Sequence, residues 1–210
     1  HEIRNPLVAI KTFAELAPRR LDDPEFRSNF ITVVHEEIER IEKLVADLLT
    51  LSKPADAVVE EVDIDEVARV VIRAAAGMAE ARGIELCAEL AQPDAVTMGD
   101  ETRLHQALLN IVRNALDAEP QGGRVTLKTE LDAPTLRISV HNAGSHIPPE
   151  HIDEIFRPFV SKKPKGTGLG LAICQTILEE HNGQISVHST PERGTTFVVD
   201  LPLSHSTAAA

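Results

Sequence analysis

The chain has 210 residues, of which 42% are hydrophobic and 26% charged, enough for one large domain or two small ones. Lys and Arg number 21 against 33 Asp and Glu, a net charge of −12, which disfavours gripping nucleic acid by its phosphates. There are six Phe and no Trp or Tyr, so stacking platforms for bases or sugars are nearly excluded. No apolar run approaches the ~20 residues of a membrane span, no signal peptide opens the chain, and Cys87 and Cys174 read as reduced thiols of a cytoplasmic protein.

In chain order, residues 1–17 carry apolar positions at Ile3, Leu7, Ile10, Ala14 and Ala17, and Pro18 is expected to stop the pattern. Leu21-Asp22-Asp23-Pro24 supplies a turn, with Asp23 as N-cap and Pro24 at the first position of a second helix. There Val34, Ile38, Ile41, Val45 and Leu48 repeat the same heptad spacing. Two narrow seams cannot close a core alone, so the antiparallel hairpin is expected to dimerise into a four-helix bundle.

Ser52-Lys53-Pro54-Ala55 interrupts the periodicity. Residues 1–53 form the first expected domain, 54–61 a linker, 62–203 the second domain and 204–210 a frayed tail. The charge divides unevenly, 8 basic and 10 acidic residues over 1–54 against 13 and 23 over 55–210. Residues 64–82, 101–119 and 168–181 read as helices, the last stopped by Asn182-Gly183. Residues 125–130, 136–140, 184–188 and 195–201 read as strands. The expected class is α+β: the hairpin, then an α/β sandwich in which one mixed sheet carries helices on one face.

Four clusters could carry chemistry. His1-Glu2-Ile3-Arg4-Asn5-Pro6-Leu7 puts His1, Glu2 and Asn5 on the face opposite the seam, with His1 and Asn5 one turn apart. An imidazole whose neighbouring carboxylate takes or orients its proton is a usable nucleophile. His35-Glu36 repeats the pair without the Asn and Pro that follow. In the helix 101–119, Leu104, Leu108, Ile111 and Ala115 make an apolar stripe, with Asn110, Asn114 and Asp117 on a polar stripe beside it. Amide oxygens suit Mg²⁺; an ordinary solvated face is the alternative.

Lys162-Lys163-Pro164-Lys165-Gly166-Thr167-Gly168-Leu169-Gly170 opens a helix and combines free backbone N–H groups with the only dense positive charge of an acidic unit. That fits an anion, or else a mobile surface loop. It lacks the Gly-Lys-Ser/Thr of a Walker loop and the preceding strand of a dinucleotide fingerprint. Val140-His141-Asn142-Ala143-Gly144-Ser145-His146-Ile147-Pro148 reads as a strand running into a glycine turn where backbone can approach a planar ligand. Phe156 and Phe159, in Ile155-Phe156-Arg157-Pro158-Phe159, would anchor the base of the lysine loop or simply pack into the core.

In order and spacing these clusters resemble the catalytic core of the sensor histidine kinases of two-component systems, over residues 1 to about 203. The first cluster is similar to the phosphoacceptor box, Asn110–Asn114 to the N box, Asn142–Ile147 to the adenine-binding G1 box, Phe156–Phe159 to the F box and Gly166–Gly170 to the G2 box. The resemblance implies a dimerisation and phosphoacceptor domain followed by an ATPase domain of the Bergerat fold. It also implies roles. His1 is the phosphoacceptor, Glu2 its general base, and Asn5 orients water for dephosphorylating the partner. Asn114 holds Mg²⁺, with Asn110 beside it at the nucleotide. Asn142 and Gly144 meet adenine. Lys163 and the backbone of Gly166, Thr167, Gly168, Leu169 and Gly170 hold the phosphates of ATP. The partners implied are the receiver domain of a response regulator and a second copy of the chain, with no nucleic acid and no membrane contact from this fragment.

The G1 box departs from the family pattern. Asn142 stands where an Asp accepts from the adenine amino group, and His146 stands at the second Gly. A neutral acceptor contributes about 0.5–1.5 kcal/mol where a charged one contributes about 1.5–3. A loss near ~1 kcal/mol weakens ATP binding about five- to tenfold without abolishing it. Two alternatives follow: a non-catalytic dimeric signalling scaffold with a degenerate nucleotide site, and a plain ATPase, which the His box disfavours. A chain that opens on its own nucleophile is expected to be preceded by more of the same helix, an input domain and any membrane anchor.

Overall fold

Asp23 does start a helix. Its Oδ1 accepts from the backbone N–H groups of Glu25 (3.0 Å) and Phe26 (3.4 Å), and Pro24 follows where a missing N–H costs nothing. The computed structural model describes residues 3–52, 58–91, 95–161, 163 and 166–204. Two compact units emerge, 1–53 and 54–210.

The first unit is a hairpin of α1 (Arg4–Arg20) and α2 (Pro24–Ser52). Pro18 does not stop α1, which continues to Arg20. In the last turn a proline forfeits one hydrogen bond, while Leu21 N–H still reaches Ala17 O at 3.0 Å and Arg19 and Arg20 suit the helix C-terminus. The two helices are joined by an aromatic cluster that the heptad pattern does not reveal. Phe13, Phe26 and Phe30 have ring centroids 5.8–6.2 Å apart. The seam positions Ile3, Leu7, Ile38 and Val45 stay exposed, and among the described residues Pro6, Phe26, Leu44 and Asp47 are the buried ones.

The second unit holds a two-stranded antiparallel ribbon, β1 (Glu60–Asp63) with β3 (Val96–Gly99). It also holds a five-stranded mixed sheet of β2 (Glu85–Glu89), β4 (Arg124–Asp132), β5 (Thr135–Asn142), β6 (Gln184–Thr190) and β7 (Gly194–Pro202) in the order β2-β4-β5-β7-β6. Among the described residues only the β2–β4 pair is parallel. Alternate residues of β4, β5 and β7 are buried, so one face of the sheet lies on the core. Packed with the sheet are α3 (Ile64–Ala81), α4 (Glu101–Ala118) and α5 (Gly170–Glu180). Asp63 caps α3 through Asp65 and Glu66 N–H, and Asp100 caps α4 through Arg103 N–H. Leu104, Leu108, Ile111 and Ala115, the expected apolar stripe, are all at most 2% exposed.

β1, β2 and β3 went unread because they are short and lack a clean alternation of apolar side chains. β1 starts at Glu60, inside the segment expected as linker, because it pairs with β3. Ser204, expected in the tail, donates its backbone N–H to Val96 O at 2.8 Å. α5 begins at Gly170 rather than 168, since Gly168 has a φ of 67° that a helix cannot use. Among the described residues no helix is long and apolar enough to cross a membrane.

Candidate nucleotide and phosphoacceptor sites

His1 and Glu2 lie outside the described residues, as do Lys162, Pro164 and Lys165. Asn5 is exposed in the first turn of α1, next to the buried Pro6. His35, the second His-Glu pair, is an exposed residue of α2 whose Nε2 lies 3.3 Å from Glu39 Oε1, one turn further on.

The second unit gathers most of the remaining candidates around α4. Its apolar stripe fixes the helix rotation, so Asn110 and Asn114 emerge half-buried on the flank facing the start of α5. A Cβ placed on Gly170 would stand 3.9 Å from Asn110 Cγ and 4.0 Å from Asn114 Nδ2. The backbone that opens α5 therefore runs directly against both amides. Lys163 reaches the same place, donating from Nζ to Asn114 Oδ1 at 2.9 Å and to Asp117 Oδ2 at 2.6 Å. The other oxygen of Asp117 pairs with Arg82 Nη1 at 2.5 Å. Partial burial pushes the Asp117 carboxyl up, but the hydrogen bonds from Lys163 and Arg82 outweigh it and hold the group below its ordinary 3.8.

The glycine loop is shaped by close backbone approach. A side chain at Gly168 would strike the backbone of Phe159 and Val160 at 2.5–2.8 Å, and Gly168 O accepts from Phe159 N–H at 3.0 Å. Phe159 itself adopts a φ of 66° and is 55% exposed, so it does not anchor the loop by burial as expected; its backbone does so. Phe156 is half-buried. Gly166 N–H bonds Lys163 O at 3.1 Å, Leu169 N–H reaches Thr167 Oγ1 at 3.4 Å, and Leu169 is fully buried as the foot of the segment.

Asn142 ends β5 and is 1% exposed. Its Nδ2 donates to Ser145 Oγ at 3.0 Å, which fixes the amide orientation, and among the described residues no hydrogen bond reaches Oδ1. Behind it Thr195 Oγ1 donates to Ser145 O at 3.0 Å and shares a 2.9 Å hydrogen bond with Ser189 Oγ, which accepts from Ile147 N–H at 2.7 Å. Gly144 is tied to the end of α4: its N–H donates to Glu119 Oε2 at 2.8 Å, while Glu119 Oε1 accepts from Arg124 N–H at 3.2 Å. A Cβ at Gly144 would collide with Pro120, so only glycine fits. His146 is exposed beside it.

One helix thus carries Asn110 and Asn114 on its flank and, just past its end, the carboxylate that holds the Asn142–Gly144 turn. Glu119, Thr195, Ser189 and Arg82 were not found in the sequence. Thr195 is the register partner of Asn142 across β5 and β7, so the strand pairing is the signal that locates it. Glu119 is signalled only by its place between the helix and Pro120. The residues fit the ligands the motifs imply. Asn114 Oδ1 already accepts from a cationic donor, as a hard ligand for Mg²⁺ would, and the oriented, buried Asn142 amide keeps an acceptor for an exocyclic amine.

Comparison with known proteins follows the same division. The family described as "His Kinase A (phospho-acceptor) domain" matches residues 1–56. The family described as "Histidine kinase-, DNA gyrase B-, and HSP90-like ATPase" matches residues 99–205. Sporulation kinase C of Bacillus subtilis (strain 168) is 35% identical over 204 residues, which are 97% of this chain and 47% of that protein. Sensor histidine kinase ZraS of Escherichia coli (strain K12) is 33% identical over 204 residues, 97% of this chain and 44% of that protein. The chain therefore spans less than half the length of these curated relatives. Among solved structures, histidine kinase ThkA in complex with response regulator protein TrrA superposes with a TM-score of 0.82 at 33% identity, covering 97% of this chain and 59% of that one.

Proposed function

The chain belongs to the sensor histidine kinases of two-component systems, and from that membership we propose that it is an ATP-dependent, autophosphorylating protein-histidine kinase. The observation that carries the proposal is the convergence of Gly170 and the Lys163 ammonium on Asn114, a cationic and amide-rich seat at a helix start in an otherwise acidic unit. Catalysis of phosphoryl transfer is mostly positioning and electrostatic stabilisation, which such a seat supplies.

In the proposed reaction an imidazole nitrogen of His1 attacks the γ-phosphorus of ATP. The bond from that phosphorus to the β–γ bridging oxygen breaks, ADP leaves with the electron pair, and Glu2 takes the imidazole proton. Asn142 accepts from the adenine amino group, and Gly144 lets the ring approach. Asn110, Lys163 and the backbone from Gly166 to Gly170, through Thr167, Gly168 and Leu169, hold the phosphates. Asn114 would hold Mg²⁺, whose charge would offset that on the phosphate oxygens.

The phosphoryl group then passes from His1 to an aspartate of a response-regulator receiver domain. The ThkA–TrrA complex supports that class of partner. Asn5 orients a water for the reverse task, hydrolysis of the regulator's acyl phosphate. The exposed apolar seam of α1 and α2 supports a homodimer.

The test is incubation with γ-labelled ATP. The expected product is an acid-labile, base-stable label that disappears in His1→Ala and survives in His35→Ala. Loss of label in His35→Ala with retention in His1→Ala overturns the assignment. Regulator binding without any label would favour a dimeric scaffold.

A further inference from the structure

Two oxygens of one helix hold one cation in this structure. Asn114 and Asp117 lie three residues apart on α4, where side chains are neighbours. Asn114 Oδ1 and Asp117 Oδ2 both accept from Lys163 Nζ, at 2.9 and 2.6 Å. Arg82 takes the other carboxylate oxygen, which leaves Oδ2 turned toward the lysine.

The chemistry of this pair suits more than an ammonium. An amide oxygen and a carboxylate oxygen are hard donors, and Mg²⁺ binds to nucleotides through one or two such protein groups, with phosphate oxygens and water completing its shell. A carboxylate facing a polyphosphate repels it, yet a dication shared between them turns the repulsion into attraction. The lysine and the metal would bring two positive charges to the same Asn114 oxygen, and their repulsion favours one occupant at a time.

We propose that Asn114 Oδ1 and Asp117 Oδ2 form one cation seat with two successive occupants. Lys163 fills it before nucleotide arrives, and the divalent ion of the metal–nucleotide complex fills it afterwards, with Asp117 as a second protein ligand. The exchange releases the Lys163 ammonium to the phosphate oxygens. Arg82 stays paired with the other carboxylate oxygen throughout. This inference rests on the nucleotide reading above and adds to it a ligand and an order of events.

The test uses Mn²⁺ as the probe ion. ATP binding is titrated calorimetrically with Mn²⁺ and again in excess chelator, and electron paramagnetic resonance follows free Mn²⁺ directly. Asp117→Asn is expected to cut the affinity gain that Mn²⁺ confers on ATP by about tenfold, with chelated ATP binding at least as well as in the parent. Arg82→Gln removes the strut and is expected to keep that gain within about twofold. Lys163→Ala, which vacates the seat, is expected to tighten Mn²⁺ binding in the absence of nucleotide. An unchanged gain in Asp117→Asn overturns the seat, as does an equal loss in Arg82→Gln, which would make Asp117 a link between α3 and α4 only. Mn²⁺ binding no tighter in Lys163→Ala overturns the exchange. A parent that binds ATP under neither condition overturns the nucleotide reading itself.

Discussion

The two units handle apolar surface in opposite ways. In the α/β unit, Ile111, Leu127, Leu136, Ile173 and Ile177 are fully buried, and both the sheet and the helices turn their apolar sides to one core. In the hairpin, Ile3, Leu7, Ile31, Ile38, Val45 and Leu49 are each at least 41% exposed. Apolar content does not separate the two regions; the number of layers does. Two helices alone have nowhere to put a second apolar stripe, whereas three helices over a sheet do. One unit buries its apolar side chains within itself. The other offers its seam to another surface.

The sharpest way to break this contrast is to open the closed core. Ile111→Ala, at a position 0% exposed, is expected to cost about 2–5 kcal/mol of the α/β unit's stability, measured by urea unfolding. A cost near zero would mean that the core is not packed as described. On the hairpin the expected effect is of another kind. Ile38→Asp should weaken self-association at least tenfold, about 1.4 kcal/mol, in sedimentation equilibrium, and leave the α/β unfolding transition where it was. Unchanged association would take the seam out of the proposed dimer.

The smallest effect concerns charge within the core of the α/β unit. Asp65 is 4% exposed and accepts from Thr129 Oγ1 at 2.6 Å. Burial raises its carboxyl above 3.8, and the Thr129 hydrogen bond offsets only part of that. A raised folded-state value means that the native state binds the proton more tightly than the unfolded chain. Stability therefore falls as pH rises from about 4 through the folded value. Asp65→Asn keeps an acceptor for Thr129 and removes the charge, so its unfolding midpoint should lack that decline. Parallel pH profiles for variant and parent would show that Thr129 fully compensates the buried charge.

Sequence spacing made much of this architecture legible. Period-3.6 stripes located α3, α4 and α5, and the β-branched runs located β4 to β7, because each element buries a full face. The strands β1, β2 and β3 are short, none buries a full face of apolar side chains, and they left no such trace. Asn110, Asn114 and the glycine loop stood out because asparagines at helical spacing and closely set glycines are costly unless used. Glu119 and Thr195 did not stand out. Their work is to hold a backbone N–H or another hydroxyl, and that depends on which segments meet in space. Phe13, Phe26 and Phe30 escaped for the same reason, since neither helix alone shows that three rings converge.

At the far end of the α4–α5 pair, His181 spends both ring nitrogens on backbone: Nδ1 donates to Ile177 O at 2.6 Å and Nε2 accepts from Asp100 N–H at 2.9 Å. The ring lies so close to Gly99 that a methyl group there would overlap it. Positions 99 and 181, 82 residues apart, are therefore not independent letters. A side chain at 99 is admissible only once 181 has shrunk, and a smaller residue at 181 abandons the Asp100 amide. The order of change at the two positions is thereby set, 181 before 99, and the helix that bears the asparagines inherits that constraint.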